Sequence, residues 1–123
     1  MIAAAGAFGA LCRYGISASL AKAFAQSGFP FGTLAVNVIG CLIIGIIMHI
    51  GLNSDLISAN WRMAITVGFL GALTTFSSFS YETVVLLEKT QYFMAIANIT
   101  ANMIVGLLAT VAGLTIGKLI ISS

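Results

Sequence analysis

The fold is decided by residues 68–80, which read GFLGALTTFSSFS. This segment holds two glycines and five hydroxyl side chains in thirteen residues, and it lies in the middle of a long apolar run. Glycine weakens a helix, and hydroxyl side chains can bond the backbone groups that a broken helix exposes. The sequence therefore predicts a membrane-spanning helix that is interrupted at the centre of the bilayer, near Thr74 and Thr75.

The composition around this segment is that of an integral membrane protein. The chain has 123 residues, of which 60% are hydrophobic and 7% are charged, whereas roughly 25% are charged in soluble domains. A chain this short cannot bury so much apolar surface in a soluble core, and the composition also excludes disorder and a disulfide scaffold. Cys12 and Cys41 lack metal-ligand spacing and are expected to be buried structural residues. The scattered charges form no basic patch, so no nucleic-acid partner is expected.

Four segments are long and apolar enough to cross a bilayer, which takes about 20 residues. They cover about residues 2–25, 31–51, 62–87 and 92–121, separated by short polar connections. In the second connection Asn60 is the expected helix N-cap before Trp61. The apolar runs show no period-two alternation, which argues against strands. We therefore predict a single all-α transmembrane domain over residues 1–123, with four spans and the third one broken.

The few charged residues bear on how the chain inserts. Arg62 and Lys118 mark one side of the membrane, Lys22 and Lys89 mark the other, and Arg13 lies within the first span. The positive-inside rule therefore gives a tie. A tie is typical of a dual-topology protein, whose two orientations would pair as an antiparallel homodimer. The alternative is an orientation set by partners or by weaker biases.

Small and polar side chains recur every four residues along the second and fourth spans. Positions four apart lie on one face of a helix, so each span carries a small or polar stripe. The glycines are interpreted as close-packing positions. The asparagines are either interhelical hydrogen-bond formers or neutral donors to an anion. The two stripes consist of Thr33, Asn37, Cys41, Gly45 and His49, and of Asn98, Asn102, Gly106, Thr110, Gly113 and Gly117.

Other features of the spans could serve an ion. Phe76 and Phe79 are three residues apart, and aromatic edges attract anions, although phenylalanine in a membrane helix usually has a packing role. Arg13 and Glu82 are charged within spans, and we favour a structural role for both over direct ligand contact. Carbonyls freed at the break could bind a cation, which two antiparallel chains could share.

Three motifs, in this order along the chain, resemble those of the Fluc family of small fluoride channels (CrcB-type). Residues 9–14 (GALCRY) are similar to the family's GAxxRY, and residues 32–40 (GTLAVNVIG) to its GTLxVNxxG. Residues 68–80 are similar to its GFxGGxTTFSTFS, and the resemblance covers nearly the whole chain. The chain departs from the frequent family residues at Ala72, Ser78, Cys41, Asn98 and Asn102; at the last two, many members are expected to have Tyr and Ser.

The resemblance implies a fluoride-selective channel of the bacterial inner membrane that lets fluoride leave the cell passively and lowers its cytoplasmic concentration. It also implies an antiparallel dual-topology homodimer with two pores. A structural Na⁺ on the two-fold axis would be held by the backbone carbonyls of Gly71 and Thr74 from both chains, and Arg13 would stand where the family keeps an arginine. By position, the implied fluoride-binding residues are Asn37, Phe76, Phe79, Thr75, Ser78, Asn98, Asn102 and Thr110.

Other functions fit the residues less well. A small multidrug-type antiporter, also four-span and dual-topology, needs a titratable carboxylate in its first span, where this chain has Arg13 and no acid. A membrane assembly protein without a transport role would explain the glycines but not the polar cluster at mid-membrane. An enzyme is not expected, because no nucleophile, general base and orienting group can be assembled from these residues.

Overall fold

The computed structural model describes residues 1–122, and in that range the chain is helical and contains no strand. This confirms the all-α prediction. Long apolar runs favour helices because a helix satisfies its backbone hydrogen bonds within the segment, without help from water.

The helices are grouped into four consecutive segments. Two segments are single helices, and the other two are divided by short π-helical stretches. We use the names third helical segment for Ala59–Glu88 and fourth helical segment for Tyr92–Ser122. The elements are α1 (Ile2–Ala23), α2 (Phe31–Asn53), α3 (Ala59–Met63), the π-helical stretch Ala64–Leu70, α4 (Gly71–Leu73), α5 (Phe76–Glu88), α6 (Tyr92–Thr100), the π-helical stretch Ala101–Val105 and α7 (Gly106–Ser122).

Three of these segments are long and apolar enough to cross a membrane, namely α2 and the third and fourth helical segments. The third reaches this length only when it is counted through its central break. The first helix has 22 residues but is less apolar, in part because Arg13 lies in its middle. The prediction that α1 is a fourth span therefore stays a prediction.

The start of the third helical segment corrects one expectation. Ser58, not Asn60, is the N-cap of α3, because the Ser58 hydroxyl oxygen accepts a hydrogen bond from the Trp61 backbone N–H at 3.2 Å. The backbone of Ser58 is extended, as an N-cap requires, whereas Asn60 already lies inside the helix.

The two small-residue stripes face each other, which confirms the interpretation of the glycines as packing positions. An added Cβ on Gly45 would lie 2.5 Å from the Thr110 carbonyl oxygen and 2.9 Å from the Leu114 nitrogen. Farther along the same contact, Gly117 lies against His49. Glycine is thus required where α2 and α7 approach backbone to backbone.

The most buried apolar cluster lies beside the break in the third helical segment. Val36, Leu70 and Leu73 are each at most 2% exposed. Elsewhere large apolar side chains point outward, including Phe93 at 84% exposure. A small core with a broad apolar exterior fits a chain whose outer surface meets lipid or another copy rather than water.

Candidate functional site

The third helical segment is interrupted at two residues, Thr74 and Thr75. Thr74 ends α4 with an extended backbone, and Thr75, also extended, is the N-cap of α5. The Thr75 hydroxyl oxygen accepts a hydrogen bond from the Ser78 N–H at 3.1 Å. The Thr74 hydroxyl donates to the Leu70 carbonyl at 2.9 Å. The Thr75 hydroxyl therefore caps the start of α5, and the Thr74 hydroxyl adds a hydrogen bond at the end of α4.

Asn37 on α2 makes two hydrogen bonds to the backbone at the break. Its Oδ1 accepts a hydrogen bond from the Thr75 N–H at 2.8 Å, and its Nδ2 donates to the Thr75 carbonyl at 3.2 Å. A backbone N–H can only donate, so the atom facing it must be the side-chain oxygen. This contact therefore fixes the orientation of the Asn37 amide.

At the break, two backbone N–H groups do not donate to the carbonyls four residues before them. In a continuous α-helix the Thr75 N–H would bond the Gly71 carbonyl, and the Ser78 N–H would bond the Thr74 carbonyl. Here these groups donate to Asn37 Oδ1 and to the Thr75 hydroxyl oxygen instead. Unwound backbone carbonyls are ligands that suit Na⁺ in membrane proteins. The Gly71 and Thr74 carbonyls are therefore ligands of the kind that the Na⁺ implied by the resemblance would need.

Polar side chains extend from Asn37 into the fourth helical segment as a chain of amides. Asn37 Nδ2 donates to Asn102 Oδ1 at 3.1 Å. Asn102 Nδ2 donates to Asn98 Oδ1 at 3.0 Å and to the Asn98 carbonyl at 2.9 Å. Asn98 Nδ2 donates to the Thr83 hydroxyl oxygen at 3.0 Å, and that hydroxyl donates to the Phe79 carbonyl at 2.7 Å. We call Asn37, Asn102, Asn98 and Thr83 the amide chain.

Thr83 is a member of this chain that sequence reasoning missed. It lies one helical turn after Phe79 on α5, and this spacing was the only signal in the sequence. Its contact with Asn98 depends on how α5 packs against α6, which spacing along one helix does not reveal.

A cavity of about 410 Å³ opens beside the break. It brings together seven of the residues that the sequence singled out for ion binding. The rings of Phe76 and Phe79 have centroids 5.6 Å apart and are inclined by 55°. Phe76 is 78% exposed, so its ring projects from the surface of this chain. The seven residues are Asn37, Gly71, Thr74, Thr75, Phe76, Phe79 and Asn102, and Cys41 also lines the cavity.

Three other predicted site residues lie outside this cavity. Ser78 lines a separate shallow cavity together with Tyr81 and Glu82. The Thr110 hydroxyl donates to the Gly106 carbonyl of its own helix at 3.3 Å. Asn98 is fully buried behind Asn102, at 0% exposure. A single chain therefore gathers only part of the predicted ion path around the break.

Arg13 and Glu82 border a second cavity, of about 340 Å³, with Thr33. Arg13 Nε donates to the Ala72 carbonyl at 3.0 Å, one of the carbonyls left without a helical donor at the end of α4. The structural role that we favoured for Arg13 stays a prediction. Among the described residues, Glu82 Oε1 is a buried oxygen without a hydrogen-bond partner.

Comparisons with known proteins match nearly the whole chain. Residues 1–114 match the family model described as CrcB-like protein, Camphor Resistance (CrcB). The chain is 43% identical over 120 residues to a fluoride-specific ion channel FluC of Dehalococcoides mccartyi, covering 98% of this chain and 92% of that one. It is 49% identical over 113 residues to the protein of that name in Pelobacter propionicus, covering 92% and 87% of the two chains. The FluC protein of Geobacter sulfurreducens is 47% identical over 113 residues, covering 92% of this chain and 90% of its own.

Proposed function

The chain belongs to the CrcB-like family, and from that premise we propose that it is a fluoride-selective ion channel. It is a multi-pass integral membrane protein, and its activity is ion transport rather than enzyme catalysis. One observation of the site carries the proposal beyond family membership. The neutral amide of Asn37 is held at a break in the third helical segment and lines one cavity with Phe76 and Phe79.

The amide of Asn37 can bind an anion by exchanging one acceptor for another. One of its hydrogens serves the Thr75 carbonyl and the other serves Asn102 Oδ1. Fluoride, a small and strong acceptor, would replace one of these two oxygens and recover part of its hydration energy. Positive ring edges of Phe76 and Phe79 would add to the attraction without adding a fixed charge.

We propose that the ion path continues beyond this contact along the other polar side chains. The Thr75 and Ser78 hydroxyls lie on either side of the start of α5. Asn102, Asn98 and Thr110 follow one face of the fourth helical segment. Asn98 is buried and would act on this path through its hydrogen bond with Asn102. Because Ser78 and Thr110 also lie outside the cavity of this chain, the proposed path is completed by surfaces that a second chain supplies.

That second chain is proposed to be an antiparallel copy of the first, inserted in the opposite orientation. The tie between basic residues on the two sides of the membrane supports this arrangement. The exposed ring of Phe76 and the open cavity beside it provide a surface that a copy would cover. In such a dimer the two breaks could meet on the symmetry axis.

A sodium ion at that axis is the proposed structural cofactor. Gly71 and Thr74 of both chains would supply four backbone carbonyl oxygens, and each of these carbonyls has lost its helical donor to a side chain. Among residues 1–122 no group of three His, Cys, Asp or Glu side chains could hold a metal ion. The backbone is therefore the ligand that we propose.

The proposed role in the cell is passive fluoride efflux across the bacterial inner membrane. Hydrogen fluoride crosses a bilayer as a neutral weak acid and dissociates in the more alkaline cytoplasm, which traps the anion. A channel would let that anion leave and would lower its cytoplasmic concentration. Neither the antiporter nor the assembly-protein alternative is supported by the relatives, which carry the name of a fluoride channel.

The proposal is tested by fluoride release from liposomes. Vesicles loaded with potassium fluoride and containing the purified protein are given valinomycin, and a fluoride-selective electrode follows release. We expect rapid release from the parent and from Asn53→Ala, since Asn53 donates only to the His49 carbonyl of its own helix. Release should be strongly reduced for Asn37→Ala. Release no faster than from empty vesicles, or chloride release as fast as fluoride release, would contradict the assignment.

A further inference from the structure

The amide chain has a direction, which is set at one end by Thr83. A threonine hydroxyl has a single proton, and Thr83 gives its proton to the Phe79 carbonyl at 2.7 Å. The same oxygen can therefore only accept from its other neighbour. Asn98 must turn its Nδ2 toward Thr83, which is the observed contact at 3.0 Å.

This direction passes through each amide in turn. With Nδ2 of Asn98 facing Thr83, its Oδ1 accepts from Asn102 Nδ2 at 3.0 Å. Asn102 Oδ1 is then left to accept from Asn37 Nδ2 at 3.1 Å. If one amide turned over, it would set oxygen against oxygen on one side and N–H against N–H on the other. The three orientations are therefore coupled.

The hydrogen bonds at the other end of the amide chain, at the Thr75 backbone, require the same direction. The Thr75 N–H requires the oxygen of Asn37, at 2.8 Å, and so leaves the Asn37 nitrogen facing Asn102. The chain thus runs between two anchors, the Thr75 backbone at the break and the Thr83 hydroxyl. Asn98 is 0% and Thr83 is 7% exposed, so water has little access to replace a lost partner at this second anchor.

We propose that Thr83 is a positioning residue for fluoride conduction. Its hydroxyl sets the orientation of the Asn98 amide, which helps hold Asn102 Oδ1 toward the second hydrogen of Asn37, while the Thr75 backbone fixes the other side of the Asn37 amide. Thr83 does not line the cavity beside the break, so it acts through the other amides rather than on the ion. The inference rests on the proposed function, because Asn37 is the donor that fluoride is proposed to meet.

The first test reads the amide orientation without using fluoride. Side-chain ¹⁵N–¹H signals of asparagine are recorded for the parent and for Thr83→Val, Thr83→Ala and Thr83→Ser. We expect the Asn37 and Asn102 signals to shift in the two variants without a hydroxyl and to stay in place in Thr83→Ser. The signal of Asn53, which bonds only within α2, serves as the internal control.

The second test is fluoride release from liposomes. Thr83→Val and Thr83→Ala leave the buried Asn98 amide without its hydrogen-bond partner. We expect this loss to slow fluoride release by roughly tenfold. Thr83→Ser should stay close to the parent. Thr115→Val is the matched control, because the Thr115 hydroxyl also donates to the carbonyl four residues before it but is exposed.

The two readouts separate the inference from the proposed function. An Asn37 signal that stays in place in Thr83→Val and Thr83→Ala would overturn the positioning role, even in a protein that conducts. A Thr83→Ser variant as impaired as Thr83→Val would also overturn it, because packing rather than the hydroxyl would then matter. A parent protein that releases no fluoride would overturn the channel assignment instead, whatever the spectra show. Because alanine is smaller than threonine, the Thr83→Ala variant keeps the test available if valine at this position prevents folding.

Discussion

Replacing Gly45 with alanine should force α2 away from the fourth helical segment. The added Cβ would lie 2.5 Å from the Thr110 carbonyl oxygen, whereas ordinary van der Waals contact begins at 3.4 Å, so the two backbones must separate by about 0.9 Å. The atoms that it meets belong to backbone and cannot rotate away. Overpacking of this kind costs about 1–3 kcal/mol, offset by roughly 1 kcal/mol because alanine favours helix over glycine. We therefore expect a net loss of up to about 2 kcal/mol in the free energy of unfolding.

The same displacement should reach the ion site. Asn37 lies two turns before Gly45 on α2, and its bond to Asn102 joins the two segments that Gly45→Ala would separate. Adding about 0.9 Å to a donor–acceptor distance of 3.1 Å exceeds the range of a hydrogen bond. Gly45→Ala should therefore lose fluoride release as well as stability.

The assay is thermal unfolding of the purified protein in detergent, followed by fluoride release from liposomes. Gly15→Ala is the matched control, since a Cβ there would meet nothing within 4 Å. We expect a lower Tm and slower release for Gly45→Ala, and a Tm equal to or above that of the parent for Gly15→Ala. Equal Tm values for the two variants would refute the reasoning, because they would mean that α2 and α7 are not in close contact.

The remaining predictions concern the cap, the cation and the topology. Ser58→Ala should lower stability by about 1 kcal/mol in a thermal unfolding assay, whereas Asn60→Ala should not; the reverse order would contradict the cap assignment. Exchange of sodium for N-methylglucamine during purification should shift the protein from dimer to monomer in size-exclusion chromatography, because Gly71 and Thr74 would lose their shared ion; an unchanged dimer would count against that site. Reporter tags at the C-terminus should be detected on both sides of the membrane, and a single orientation would defeat the inference from the tied charges.

The local features of the fold could be predicted because they depend on neighbours in sequence. Glycines and hydroxyls at residues 68–80 weaken a helix wherever they occur, and the structure interrupts the helix at Thr74 and Thr75. Likewise, the spacing of Gly45 and Gly113 predicts close packing before any partner is known. The apolar runs similarly predicted an all-helical chain.

Features that depend on contacts between segments could not be predicted in the same way. The direction of the Asn98 amide depends on Thr83, which comes from another helix and has no distinguishing pattern in the sequence. Ser58 displaced Asn60 as the cap because the backbone becomes helical one residue before Asn60. Thr110 shares a stripe with Asn102, yet its hydroxyl donates to the Gly106 carbonyl of its own helix, and its own carbonyl oxygen lies against Gly45 of α2.

The central claim is selectivity for fluoride, and a reversal-potential measurement tests it most directly. The parent protein is placed in a planar bilayer with potassium fluoride on one side and an equal concentration of potassium chloride on the other. If the channel admits fluoride and excludes chloride, the current should reverse only at a large voltage. The sign of that voltage should be the one that opposes diffusion of fluoride from the fluoride side to the chloride side. A reversal near zero, or one of the opposite sign, would contradict the account.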